Sequence, residues 1–180
     1  MSAYTQGRML GTVTAVVGVG AVAIGTAVAP AHTGSAAAAK QITPAGVGAV
    51  KLGSTYQELR YQGLVGQIRK GCELGGPNTR SARLLAPLKG SVDFTLTAPR
   101  KVTNITVRGG AKARGVGIGA TIATIKGAYP KAKVDHSTDS TFGITLVKIP
   151  KAGGGKLQFA VDTKTKQVTL IGVPFIAFCE

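Results

Sequence analysis

From residue 91 onward, short runs rich in β-branched and aromatic residues alternate with turn residues. They predict strands at residues 91–97, 101–107, 142–149, 156–162 and 167–175, with a weaker one at 131–135. Ala98-Pro99-Arg100 and residues 162–166 are short enough to close antiparallel hairpins, and residues 152–155 make another turn. Two helices are predicted, over residues 56–65 and 122–129. Each starts where a Gly precedes a Thr able to cap the first turn, and Thr55-Tyr-Gln-Glu58 has the spacing of a capping box. Leu59 and Ile125 then open the apolar faces, and Pro130 stops the second helix. Residues 71–88, with Gly75, Gly76 and Pro77, read as a long loop that carries Arg80 and Arg83.

The pattern repeats. A shift of 66 residues lays Val50-Lys-Leu-Gly-Ser-Thr55 on Val116-Gly-Ile-Gly-Ala-Thr121, and Leu59 and Arg60 on Ile125 and Lys126. The same shift brings Val102 and Thr103 onto Val168 and Thr169, Ile105 onto Ile171, and Val107 onto Val173. One residue less matches Val92, Phe94 and Leu96 with Leu157, Phe159 and Val161. Order and register together predict a duplication, with repeat one at about residues 46–110 and repeat two at about 111–175. The expected fold class is therefore α+β: two related halves, each a short helix followed by about three antiparallel strands. The halves join edge to edge or pack their sheets around one core.

The first 39 residues follow neither period. They hold a single charge, Arg8, and an Ala-, Val- and Gly-rich stretch with small residues ahead of cuts after Ala31 or Ala39, the layout of a secretory signal peptide. The alternative is an uncleaved membrane anchor. Residues 40–180 form the expected secreted domain, placed outside the cell or in its envelope. In that oxidising setting Cys72 and Cys179 are expected to form one disulfide, the alternative being two separate buried thiols. All seven acidic residues and 21 of the 22 basic ones lie beyond residue 39, so this domain carries about +14 and seeks anions.

The order of elements and the repeated Gly53-Ser-Thr55 and Gly119-Ala-Thr121 lead into a helix resemble the tandem modules of the beta-lactamase inhibitory protein fold. The likeness spans about residues 46–175. That family often has Met in the middle of the motif, where Ser54 and Ala120 stand here. The resemblance implies protein binding on a curved sheet without chemistry, and it assigns no individual binding residue.

Catalytic patterns are thin. Asp135-His136-Ser137 contains the residue types of a hydrolase triad, but neighbours in an extended chain point to alternate sides. Gly115-Val-Gly117-Ile-Gly-Ala120 fits a loose dinucleotide fingerprint with Asp135 downstream. The repeat shares only Gly119, with Gly53, which points to a turn requirement. Gly153-Gly-Gly-Lys156 lacks phosphate-loop spacing and reads as a hairpin turn, and the sequon Asn104-Ile-Thr106 falls in a predicted strand. Two Cys and one His beyond the leader are too few for a structural metal site, and no cofactor is expected. With four Tyr, five Phe and no Trp, stacking surface for nucleic acid is scarce. The expectation is a secreted, non-catalytic binding or inhibitor-like protein with an acidic protein partner; the alternative is an envelope protein held by anionic wall polymers. Candidate anchors are the aromatics Tyr56 and Tyr61, read as exposed, and the arginines Arg80, Arg83 and Arg108.

Overall fold

The computed structural model describes residues 41–72, 79–152 and 155–178. The predicted export leader and Cys179 lie outside them. Three two-residue strands, β1 (Ile42–Thr43), β2 (Gly46–Val47) and β3 (Val50–Lys51), form a small antiparallel sheet. Helix α1 (Tyr56–Tyr61) then leads into β4 (Val65–Lys70), β5 (Arg80–Leu84), β6 (Lys89–Phe94) and β7 (Val102–Gly109). Helix α2 (Ile122–Ala128) precedes β8 (Lys133–Asp135), a short helix α3 (Asp139–Phe142), β9 (Ile144–Ala152), β10 (Gly155–Asp162) and β11 (Val168–Val173). The last eight strands make one sheet in the order β4-β5-β6-β7-β11-β10-β9-β8, every pair antiparallel. Two four-stranded meanders thus meet at β7 and β11, where Val107 faces Ile171 and Ile105 faces Val173.

Each meander has four strands, against the three or so expected; in the first, where the sequence locates two, β4 and β5 lie where a helix end and a loop were predicted. Helix α1 ends at Tyr61 and not near Val65, because Gly63 turns left-handed at φ 67 and Leu64 N–H returns to the Leu59 carbonyl. The expected loop at residues 71–88 contains β5, whose Ala82 and Leu84 are buried while Arg83 between them is exposed. Phe142, predicted to open a strand, closes α3 instead.

Burial alternates along β5 and β6, whereas the central strands β7, β10 and β11 are buried at consecutive positions, on both faces. The inner face carries Val65, Leu84, Val92, Phe94, Ile105, Phe159 and Ile171, packed against Leu59 of α1, Ile125 of α2, and Val47 and Val50 of the small sheet. A second, smaller cluster of Leu146, Ala160, Leu170 and Ile176 lies apart from that core. Both main helices begin alike: Thr55 accepts from Glu58 N–H within a full capping box, and Thr121 accepts from Thr124 N–H. Gly53 and Gly119 hold φ 83 and 84, and their N–H groups donate to Val102 and Val168 at 2.9 and 2.8 Å. Val102 and Val168 N–H in turn donate to the carbonyls of Ser54 and Ala120. No helix among the described residues is long and apolar enough to cross a membrane.

Candidate functional site

The outer face of β4 to β7 is polar throughout. One row runs from Arg69 through Ser81 and Asp93 to Asn104, and the next from Arg83 through Ser91 to Thr106, set by the strand registers. Arg108, two residues beyond Thr106 on the same strand, shares this face. Across the junction the second row continues through Gly172, Gln158 and Lys148 to Lys133. With strands about 4.8 Å apart, Arg83 and Arg108, on strands separated by β6, sit roughly 10 Å apart or a little more.

The same face over the second meander is apolar and already covered. Beyond Pro174 the chain turns back over β11 and β10, where Ile176 N–H donates to Gln158 Oε1 at 3.0 Å and Ile176 packs on Leu146, Ala160 and Leu170. Phe178 stacks on Phe142 with centroids 4.6 Å apart; Phe142 is about half exposed, as is Phe175. Cys72 Sγ, at the end of the first meander's edge strand, lies 3.8 Å from the Phe178 carbonyl.

Where this C-terminal segment meets the open face, a polar cavity of about 230 Å³ is lined by Ser81, Ser91, Asp93, Thr106 and Arg108 of the sheet, by Lys70, Gly71 and Cys72 at the end of β4, and by Ala177. Asp93 is the one acidic residue in strands β4 to β7, which carry six Lys and Arg. Asn104 Nδ2 donates to Asp93 Oδ2 at 3.2 Å, while the buried Asn104 Oδ1 has no partner. Burial pushes the Asp93 pKa up, against the lowering effect of hydrogen bonds from Asn104 and Ser81. A protonated Asp93 could donate to the orphaned Asn104 oxygen, which the carboxylate cannot.

A native pKa above the unfolded value means that the folded protein binds the proton more tightly. Stability is therefore expected to fall as pH rises from the ordinary carboxylate range through the native pKa of Asp93. Asp93→Asn keeps the shape, removes the buried charge and supplies the missing donor. We expect it to stabilise the protein by about 1–2 kcal/mol at neutral pH and much less under acid, read by urea unfolding at both pH values.

The five residues singled out by type do not converge. Arg83 and Arg108 share the open face. Arg80, an odd number of positions from Arg83 and paired with the inward Phe94, falls on the other face. Tyr56, expected to be exposed, is half-buried with its ring edge-on to Phe94. Its hydroxyl accepts from Ile68 N–H at 3.2 Å, and Arg60 donates to the Val65 carbonyl at 3.2 Å. Helix α1 thereby occupies backbone groups of β4, the strand at the sheet's margin, a device that discourages strand addition. Tyr61 is 94% exposed at the end of the same helix, which packs on the inner face. Type and spacing missed Arg69, Asp93, Asn104 and the pair Phe142 and Phe175; recognising β4 and β5 as strands would have revealed the first.

The triad types are engaged separately. His136 Nδ1 pairs with Asp139 at 2.8 Å, while Asp135 accepts from Ser137 N–H and pairs with Lys148. Those contacts hold both carboxyls below their usual range: for Asp135 the Lys148 hydrogen bond acts most strongly, and for Asp139 the His136 hydrogen bond does. In the dinucleotide-like stretch, Ala113 and Val116 exchange backbone hydrogen bonds, and the helix that follows has only seven residues. Beside it lies a glycine-rich hollow of about 540 Å³ rimmed by Lys112 and Arg114. Among the described residues no group of three His, Cys, Asp or Glu side chains converges as a metal site would require.

Compared with known protein families, characterised proteins and solved structures, the chain matches none.

Proposed function

We propose that this is an exported, non-catalytic, inhibitor-like protein that engages an acidic protein partner across the outer face of its large sheet. The observation carrying this reading is the contrast between the meanders. The second has its outer face covered by its own chain through Ile176 and Phe178, whereas the first presents Arg69, Arg83 and Arg108 on a polar surface. Half-exposed Phe142 stacks on Phe178 of the covering segment, so aromatic surface accompanies the cations. Arg and aromatic residues are the types that dominate interface energies.

We further infer that the two halves arose by duplication and are arranged like the tandem modules of the beta-lactamase inhibitory protein fold. The matched bonds of Gly53 with Val102 and Gly119 with Val168 support this, since each pair differs by the same 66 residues. A Cys72–Cys179 disulfide is part of the proposal. The approach of Cys72 Sγ to Phe178, the residue before Cys179, supports it, and no cysteine among the described residues is free.

The test is a pull-down from the producing cell's envelope and culture fluid at low and high salt, with wild-type protein and the Arg69→Ala, Arg83→Ala, Arg108→Ala triple variant. One stoichiometric acidic protein, retained at high salt and bound roughly 10- to 100-fold more weakly by the triple variant, is expected. Recovery of wall material alone, released by salt and indifferent to the three arginines, would replace this reading with adhesion to anionic wall polymers.

A further inference from the structure

We propose that the 230 Å³ polar cavity at the foot of the open face seats a glutamate carboxylate of the partner, held by the Arg108 guanidinium and the hydroxyls of Ser91 and Thr106. This rests on the reading of the outer face as the docking surface and adds the chemistry of its anchor. Ser91 and Thr106 are opposite each other across β6 and β7, which brings their side chains within about 5 Å. Arg108 lies one step further along the Thr106 side of β7, and Lys70 adds positive charge from β4. The cavity has room for several waters, so the short side chain of a glutamate enters with solvent to spare. A carboxylate takes hydroxyl and guanidinium donors together, and a planar guanidinium suits it better than a point charge does.

Asp93 is the one group in the cavity that opposes an anion. Its carboxyl already accepts from Asn104, and burial favours its neutral form, so it is poised to take up a proton when a second carboxylate arrives. The basic residues that line the cavity are Lys70 at the end of β4 and Arg108 of β7. A cationic ligand would enter against both.

The experiment is calorimetric titration of the full chain with an oligoglutamate peptide at pH 8 and low salt. Asp93→Asn should bind about three- to tenfold more tightly than wild type. Ser91→Phe, which fills the cavity, should lose roughly tenfold or more, and Arg108→Ala should lose a similar amount should the Phe variant fold poorly. Wild-type affinity in a well-folded Ser91→Phe or in Arg108→Ala, with no gain in Asp93→Asn, overturns the proposal. Arg69→Ala, Arg83→Ala separates the two levels. If that double variant weakens the peptide while the cavity variants do not, the open face still binds acidic partners and only the anchor is wrong. If no variant changes binding, the face and the anchor both fail.

Discussion

Phe159→Ala is expected to destabilise the protein by about 3–5 kcal/mol, a large share of the roughly 5–15 kcal/mol that a domain of this kind possesses. Phe159 is fully buried at the middle of β10, opposite Val147 on one side and Ile171 on the other, both fully buried as well. The Tyr129 ring, just past α2, packs against it at 5.9 Å, and the Arg114 guanidinium lies 5.2 Å over that Tyr ring. Truncation therefore empties a volume bounded by two strands and a helix end, none of which can close in without breaking ladder hydrogen bonds. Phe94→Ala, the matching change in the first meander, should do less harm, because Phe94 keeps 4% exposure and its edge-on neighbour Tyr56 is half-buried and can shift. Urea unfolding of both variants checks the order. A loss below about 1 kcal/mol for Phe159→Ala would mean that the inner face of the second meander is not a packed core.

Much of the sheet was legible in the chain because its central strands obey a simple period. In β7, β10 and β11 the inward positions Ile105, Val107, Leu157, Phe159, Ile171 and Val173 are large and apolar, and their turns carry Pro, Asp or Gly. The edge of the first meander hid itself for physical reasons. A bulge in β4 puts both Val65 and Ile68 opposite inward residues of β5, and two apolar residues three apart imitate a helical step. Strand β5, Arg-Ser-Ala-Arg-Leu, has no β-branched or aromatic residue and owes its conformation to neighbours on both sides.

The site was legible only by residue type. Arg83 and Arg108 could be picked as cations, but whether they share a face depends on a register between strands that lie far apart in the chain. The same register separates Arg80 from Arg83. Asp93 and Asn104 become a pair only once β6 and β7 zip together. The cover on the second meander was hidden for a different reason: residues 174 and 175 read as the end of the strand predicted over 167–175, and only the tertiary contacts of Ile176 and Phe178 show the chain folded back.

Gly172 makes that fold-back feasible, and Gly172→Ala should release it. A Cβ built there would stand 2.3 Å from the Phe175 carbonyl oxygen and 2.6 Å from a side-chain carbon of Ile176, closer than any Cβ can approach. The backbone of β11 is held by ladders on both sides, so the C-terminal segment has to yield. Its departure breaks the bond from Ile176 N–H to Gln158 and uncovers Leu146, Ala160 and Leu170. Re-exposing Ile176 and the surface beneath it is expected to destabilise the protein by about 2–3 kcal/mol. Hydrogen exchange by mass spectrometry should show protection lost at residues 174–178 and retained in β10 and β11, with increased binding of an apolar dye. Unchanged exchange at residues 174–178 would show that the segment clears the added methyl group. Because Ala177 borders the polar cavity, Gly172→Ala should also weaken oligoglutamate binding while Arg69 and Arg83 stay in place. Covering the apolar half of the sheet and completing the anchor cavity are then two consequences of one close approach.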